Sequence, residues 1–156
     1  ILGDVVAALH LQGIRKLIIV NGHGGNSFKN MIRDLSVDFP DFLIAITNWY
    51  GIVPQEGYFE NKDDHAGELE TSVMMYYHPE LVNLEEAGEG TSKPFALSSL
   101  NAQIAWLPRY WSKVSADTGI GDPRKSTPEK GERYAKAVIE KLALLFTEIG
   151  SKEVYL

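Results

Sequence analysis

The chain has 156 residues, of which 44% are hydrophobic and 23% are charged, and its net charge is −6 at neutral pH. This length suits one α/β domain with a hydrophobic core, and the negative charge argues against a nucleic-acid partner held mainly by electrostatics. The lack of cysteine excludes disulfides and thiolate metal sites, and it fits a reducing cytoplasm.

The first residues have a helical pattern that is already under way. Apolar residues recur at helical spacing through residues 1–12, and Gly13 is suited to end the helix. The start I-L-G-D has neither a Met nor the basic region of a signal peptide, and no apolar run reaches the length of a membrane span. We therefore expect a cytoplasmic fragment without a membrane partner, from which the N-terminal portion of the domain is missing.

Residues 16–48 have the pattern of one βαβ unit. Lys16–Asn21 reads K-L-I-I-V-N, a continuous apolar run typical of a strand buried on both faces. A helical pattern follows from Ser27 and ends at Pro40, and residues 42–48 predict a second apolar strand. Short links between these elements predict a mainly parallel sheet flanked by helices, with a right-handed crossover.

The remainder of the chain is predicted with less detail. Residues 49–64 are loop-like, residues 66–77 have a helical pattern that stops at His78, and residues 80–126 are rich in turns. Thr127 is placed to cap a long final helix with Pro128 at its first position. Because there is no repeat or linker, we predict a single domain over residues 1–156.

The first candidate site is the turn N-G-H-G-G-N at residues 21–26, between a strand and a helix. Ligands of open α/β sheets bind at this edge. The glycines could cradle an anion with backbone N–H groups, or His23 could bind a metal that the glycines allow to come close. The nucleotide-binding patterns G-x-G-x-x-G and G-K-[ST] are absent, and a histidine that only stabilises the loop is a third possibility.

The second candidate site is D-D-H-A-G-E-L-E-T at residues 63–71, at the entry to a helix. Acidic residues in a first helical turn also interact favourably with the positive end of the helix dipole, so Asp64 and Glu70 have an ordinary structural explanation. His65 does not, because a helix N-terminus favours neutral imidazole, the form that binds metals or accepts protons. His65 and Glu68 are three residues apart and can face one direction if the helix has begun.

Other residues that could carry chemistry have weaker support. His10 and His78 lack converging polar groups, so we interpret both as structural. Trp106 and Trp111 are interpreted as core or interface anchors.

Taken together, G-I-R-K-L-I-I-V-N-G-H-G-G-N and the downstream D-H-A-G-E-L-E-T-S resemble the creatininase (creatinine amidohydrolase) family, whose members carry both motifs in this order. The segment from Trp111 to Gly131, which includes S-A-D-T-G-I-G-D-P, resembles the closing segment of that family. The similarity runs over residues 13–131, which is most of the chain.

The resemblance implies a three-layer α/β/α sandwich that assembles into homo-oligomers and holds two divalent metals, Zn or Mn. It also implies hydrolysis of a C–N bond in a small-molecule amide by a metal-activated water. His23 matches the metal-binding histidine of the family, and His65 matches the catalytic histidine. Creatininase places a metal-binding Glu where this chain has Gly25, and Glu68 is the substitute carboxylate that we predict as a metal ligand.

The same resemblance suggests roles for the neighbouring residues. Glu70 is predicted to act in catalysis by orienting His65 or to bind the substrate, and Asp64 could do either as well. The substrate is predicted to contact four residues, namely Gly24, Gly25, Asn26 and Asp64. The family draws further metal ligands from its N-terminal third, which this chain does not contain.

Three alternatives remain open at this point. Creatininase has an aromatic residue where Asn61 and Lys62 stand here, which argues against creatinine as the substrate. The chain could instead belong to a deformylase or a small-peptide amidase of the same family. The rival from another class is a non-catalytic anion- or nucleotide-binding α/β module.

Overall fold

The computed structural model describes residues 1–61 and 64–155. The chain divides into two compact units, which are described separately. The first unit contains Ile1–Pro54 and the C-terminal residues from Val138, and the second unit contains Gln55–Ala137. The single domain over residues 1–156 stays a prediction.

The first unit contains the predicted βαβ arrangement. Its elements are α1 (Leu2–Leu11), β1 (Lys16–Asn21), α2 (Lys29–Asp38) and β2 (Leu43–Asn48). The two strands pair in parallel, from Lys16 opposite Leu43 to Asn21 opposite Asn48. The paired ends place Asn21 and Asn48 side by side at the carboxyl edge, which is the edge that carries the N-G-H-G-G-N turn.

The core of the first unit forms where α1 and α2 pack on the strands. Val6, Phe42 and Ile44 are buried, and they are surrounded by partly buried apolar residues of both helices and β1. Gly13 has a φ of 83°, the left-handed conformation that lets the chain leave α1, so its predicted role as the helix stop is confirmed.

The prediction that β1 is buried on both faces is wrong. Lys16 is exposed, the middle of the strand is half-buried, and Val20 remains 45% exposed. Within residues 1–61 and 64–155, β1 pairs with β2 and with no second strand. Its other edge is therefore not covered by a strand.

The second unit contains short helices joined by turns. They are α3 (Glu68–Tyr77), α4 (Ser98–Asn101) and α5 (Trp111–Val114), with 3-10 turns at Pro79–Leu81, Leu84–Glu86 and Pro123–Lys125. Helix α3 begins two residues later than the sequence pattern indicated. Ala66 has a φ of 52°, which a right-handed helix cannot contain, so the helix starts only after Gly67.

A long helix, α6 (Pro128–Ser151), begins in the second unit and ends in the first. Its predicted cap is confirmed, because the Lys130 amide donates to Thr127 Oγ1 at 3.2 Å. Gly131 allows α6 to approach α3, since a Cβ there would lie 2.0 Å from the Ser72 carbonyl oxygen. Among the described residues, no helix combines the length and apolar character that crossing a membrane requires.

Candidate functional site

The N-G-H-G-G-N turn of the first unit is organised by the side chain of Asn21. This residue is buried at the end of β1, and its Nδ2 donates to the His23 carbonyl at 2.8 Å and to Asn48 Oδ1 at 2.9 Å. Its Oδ1 accepts from the His23 amide at 3.3 Å and from Asn26 Nδ2 at 2.9 Å. A single amide side chain thus ties the turn to itself and to β2.

His23 is exposed at the tip of this turn, and its ring lies over Gly25. The Gly25 amide donates to His23 Nδ1 at 3.0 Å. A Cβ on Gly25 would lie 2.8 Å from His23 Cε1, so the absence of a side chain at Gly25 is what allows the ring to lie there. Because Nδ1 accepts a hydrogen bond, the neutral ring carries its proton on Nε2.

Two aromatic residues that follow β2 lie against the same turn. Trp49 Nε1 donates to the Gly22 carbonyl at 3.3 Å, and the Tyr50 hydroxyl lies 3.7 Å from the position of a Cβ on Gly24. A cleft of about 520 Å³ opens beside them in the first unit, and its lining includes Asn26, Asn48 and Tyr50. Sequence reasoning assigned these two residues to a loop and predicted no role for them.

His65 lies in the second unit, where the H-A-G motif meets the closing segment. The His65 amide donates to the Ile120 carbonyl at 2.9 Å, and the Ile120 amide donates back to the His65 carbonyl at 2.8 Å. The His65 ring is half-buried and packs on Trp111 with the ring centroids 5.0 Å apart. The motif and the closing segment are therefore one structural feature.

Glu70 is the carboxylate next to His65. Its Oε2 lies 3.9 Å from His65 Nδ1 and accepts from the Ala66 amide at 2.7 Å. The left-handed Ala66 between them is a strained backbone position of the kind that concentrates at functional sites. The arrangement is consistent with the predicted orienting role of Glu70, which stays a prediction.

Asp64 is paired with an arginine that the sequence did not single out. Arg109 Nη1 donates to Asp64 Oδ1 at 2.9 Å, and Arg109 Nη2 contacts the second carboxylate oxygen. This pairing raises the pKa of Arg109 above its ordinary value. The guanidinium also lies over Trp111, 5.6 Å from the ring centroid. Asp64 therefore forms part of a charged and aromatic wall next to His65.

The hydrogen bonds of Glu68 run to the 60–61 segment and to Lys130, and the condition under which Glu68 and His65 would face one direction, a helix already begun at His65, is not met. The i, i+3 geometry does not apply, because α3 begins at Glu68 itself. The Glu68 side chain is fully buried, and its Oε2 accepts from the amides of Glu60 at 3.0 Å and Asn61 at 2.8 Å. Its Oε1 lies 2.5 Å from Lys130 Nζ.

The fit of these residues to a metal is uneven. In the part of the chain that the structure describes, no three His, Cys, Asp or Glu side chains converge as a metal site, whereas Zn sites use three or four protein ligands. His23 fits as one ligand, because its imidazole is exposed at the edge where ligands of α/β sheets bind. The contacts of Glu68 do not fit a metal ligand, and its ligand role stays a prediction that they disfavour.

The predicted site residues thus fall into two groups, each described within its own unit. His23, Gly24, Gly25 and Asn26 share the turn of the first unit, and Asp64, His65 and Glu70 lie together in the second. The residues missed from the sequence are Asn21 and Trp49 in the first unit, and Arg109, Trp111 and Lys130 in the second. Asn21 could have been found, since it lies within the motif, whereas the others have no local signal.

Comparison with known proteins places this geometry in context. A family model described as creatinine amidohydrolase matches residues 1–146. A solved structure from Bacteroides fragilis NCTC 9343, provisionally described as a creatinine amidohydrolase, has 61% identity and a TM-score of 0.95. The match covers 99% of this chain and 62% of that chain. The creatininase-like α/β fold predicted from the sequence is therefore confirmed.

Two curated relatives carry named activities. The mycofactocin precursor peptide peptidase of Mycobacterium ulcerans (strain Agy99) is 30% identical over 80% of this chain and 45% of its own length. Creatinine amidohydrolase of Pseudomonas putida is 22% identical over 90% of this chain and 58% of its own length. The chain thus spans about half the length of the curated relatives it matches. Solved creatininases with TM-scores of 0.69 include a mutant of Zn–Zn type and an Mn form.

Proposed function

Because the chain belongs to the creatininase family, we propose that the protein is a metal-dependent amidohydrolase that cleaves a C–N amide bond of a small molecule. The observation that carries this proposal is the half-buried His65, held between Glu70 and Trp111 at the start of α3. Histidine can take up and release a proton near neutral pH, which is what departure of an amide nitrogen requires.

His65 is proposed to deliver a proton to the leaving nitrogen. The Glu70 carboxylate, 3.9 Å from Nδ1, orients the ring. The Trp111 ring packs on the imidazole at a tilt of 51° and limits its rotation. Asp64 is held by Arg109, so it contributes to the wall of the site as half of an ion pair.

His23 is the residue of this chain that we propose as a metal ligand. A bound Zn or Mn would lower the pKa of a water molecule and polarise the substrate carbonyl. In the structure Nδ1 accepts from the Gly25 amide and the neutral ring therefore carries its proton on Nε2. Coordination through Nε2 would require the ring to give up this hydrogen bond, so that the proton moves to Nδ1 and Nε2 is left unprotonated. Gly24, Gly25 and Asn26 would form the rim that the substrate meets.

The relatives suggest the class of substrate. One is named as a peptidase of a precursor peptide and one as an amidohydrolase of creatinine. Both named activities act on an amide C–N bond. A small-peptide amidase or a deformylase would cleave such a bond just as creatinine hydrolysis does. We further propose that the protein works as a cytoplasmic homo-oligomer.

The test is a metal analysis combined with a substrate panel. The purified protein is reconstituted with Zn or Mn, its metal content is measured, and creatinine, N-formyl compounds and short peptides are offered as substrates. His23→Ala should lose metal and activity together, because imidazole contributes directly to coordination. A folded protein that takes up no metal but binds phosphate would favour the non-catalytic anion-binding module instead.

A further inference from the structure

We propose that Glu68 and Lys130 act as a positioning pair that fixes the segment leading into His65. The inference rests on the proposed function for the role of His65, and it replaces metal binding as the role of Glu68. It is carried by the contacts that both side chains make within the second unit, outside the group formed by Asp64, His65 and Glu70.

The Glu68 carboxylate is already satisfied by groups of the chain. Two backbone amides, those of Glu60 and Asn61, donate to Oε2, and the ammonium of Lys130 lies at Oε1. The side chain has no exposed surface. A buried carboxylate requires such partners, because an unpaired buried charge is strongly unfavourable. A metal cation at this position would have to displace an ammonium and two amides.

Lys130 is engaged to the same degree. Its Nζ lies 2.5 Å from Glu68 Oε1, 3.2 Å from Glu60 Oε1 and 2.9 Å from the Lys125 carbonyl oxygen. These three acceptors match the three N–H groups of an ammonium. The hydrogen bond to Glu68 raises the pKa of Lys130, so the ammonium form is retained. The first turn of α6 thereby supplies the countercharge for the first residue of α3.

The segment that this pair holds leads directly into His65. Glu60 and Asn61 are bound by Glu68, and Asn61 Nδ2 also donates to the Asp122 carbonyl at 3.3 Å. Four residues later, His65 is bound to Ile120. Since so few residues separate the two anchors, release of the first would change the position of His65 relative to Glu70. Glu68 would therefore affect proton transfer without touching substrate or metal.

The experiment compares Glu68→Gln and Lys130→Met with Lys136→Met. Lys136 provides the matched control, because it also lies on α6 but pairs with Glu132 of the same helix, at 2.8 Å. We expect both variants of the pair to keep wild-type metal content and to lose at least about tenfold in kcat. The pH profile of kcat should contain a limb that depends on His65 and is absent from His65→Ala. In Glu68→Gln and Lys130→Met we expect this limb to move along the pH axis. A purely structural role would lower the amount of folded enzyme and leave that limb in place.

Amide hydrogen exchange tests the anchor independently of catalysis. Exchange at Glu60 and Asn61 should accelerate at least about tenfold in Glu68→Gln and stay unchanged in Lys136→Met. Unchanged exchange in both variants would overturn the proposal. So would a 10–100-fold loss of metal affinity in Glu68→Gln alone, since that is the signature of a ligand or its close neighbour. If the wild-type protein binds no metal and hydrolyses nothing, the proposed function fails. The exchange result still shows whether Glu68 holds the backbone at Glu60 and Asn61.

Discussion

The turn that carries His23 and the segment that carries His65 are stabilised by different interactions. The turn is held by neutral amide groups, those of Asn21, Asn26 and Asn48, together with the indole of Trp49. The His65 segment lies among charged pairs, namely Asp64 with Arg109 and Glu68 with Lys130. Within this network of neutral hydrogen bonds the His23 ring is exposed, which suits a ligand that must receive a cation.

The charged surroundings of His65 suit a different task. A ring that transfers a proton must be held in position, and the Glu70 carboxylate lies 3.9 Å from its Nδ1. The comparison therefore predicts that the two histidines fail in different ways when they are removed, and that the two regions respond differently to pH. Four predictions test these differences, beginning with the largest expected effect.

Replacing His65 is expected to have the largest effect. His65→Ala should lower kcat by about 10²–10⁴-fold, the usual contribution of a general acid or base, with metal content unchanged. The control is His78→Ala, because His78 is an exposed histidine at the end of α3 that pairs with Glu80 and lies outside the group formed by Asp64, His65 and Glu70. Steady-state rates and metal analysis on the three proteins check this. Near-normal turnover in His65→Ala would show that His65 is structural.

Alkaline pH should weaken the second unit through Tyr134. Burial raises the pKa of Tyr134 from 10.0 to about 12, and this ring packs on Phe59 with the centroids 5.2 Å apart. Between these two pKa values the unfolded chain releases the proton while the folded chain keeps it. The free energy of unfolding should therefore fall by about 2–3 kcal/mol as the pH rises from about 10 to about 12.

The measurement is a series of denaturant titrations across this pH range. Tyr134→Phe should remove most of the fall. The raised pKa of Lys130 acts with the same sign, because its stabilisation is present below pH 10.5 and is lost as the pH rises through the folded value. A residual slope in Tyr134→Phe should therefore become smaller when Lys130→Met is added, and the raised pKa of Lys136 next to Glu132 contributes to the part that remains. Identical slopes in wild type and Tyr134→Phe would contradict the assignment.

Removing the central amide of the turn should destabilise the first unit. Asn21→Ala deletes four part-buried hydrogen bonds made by a buried side chain, so we expect a loss of about 1–3 kcal/mol. Asn30→Ala is the control, since Asn30 accepts only an exposed hydrogen bond from Arg33 and should change stability by less than about 0.5 kcal/mol. Thermal melts of the two variants check the prediction, and equal melting temperatures would contradict it.

Local patterns accounted for the elements that the sequence predicted correctly. The parallel pairing of β1 and β2, the stop at Gly13 and the cap at Thr127 each depend on residues close in sequence. The start of α3 was misplaced because nothing in the residue type of Ala66 indicates a left-handed backbone. Similarly, the composition of β1 cannot show how much of the strand its neighbours cover.

The site was predicted where its contacts are local and missed where they are distant. His23 and His65 stood out through their own motifs. The partners of His65 and Glu68 lie far along the chain, with Trp111 and Lys130 separated from them by 46 and 62 residues. Long-range contacts of this kind leave no periodicity or spacing in a single sequence. Glu68 was consequently assigned to a metal, whereas its side chain is directed toward α6.

The smallest expected change in stability concerns Gly25, and it tests whether the neutral turn controls the His23 ring. A Cβ at Gly25 would lie 2.8 Å from His23 Cε1 and 3.0 Å from Nδ1, so Gly25→Ala must turn the ring away and break its bond with the Gly25 amide. Because the ring is exposed, the hydrogen bond that is lost can be replaced by water, and stability should fall by less than about 1 kcal/mol. Gly22→Ala is the matched control, since a Cβ there meets nothing within 4 Å.

The readout is the ¹⁵N spectrum of His23. Wild type and Gly22→Ala should show the proton on Nε2, and Gly25→Ala should show a mixture of tautomers together with altered metal affinity. An unchanged spectrum in Gly25→Ala would mean that the Gly25 amide does not set the state of His23, and the contrast between the two histidines would then rest on His65 alone.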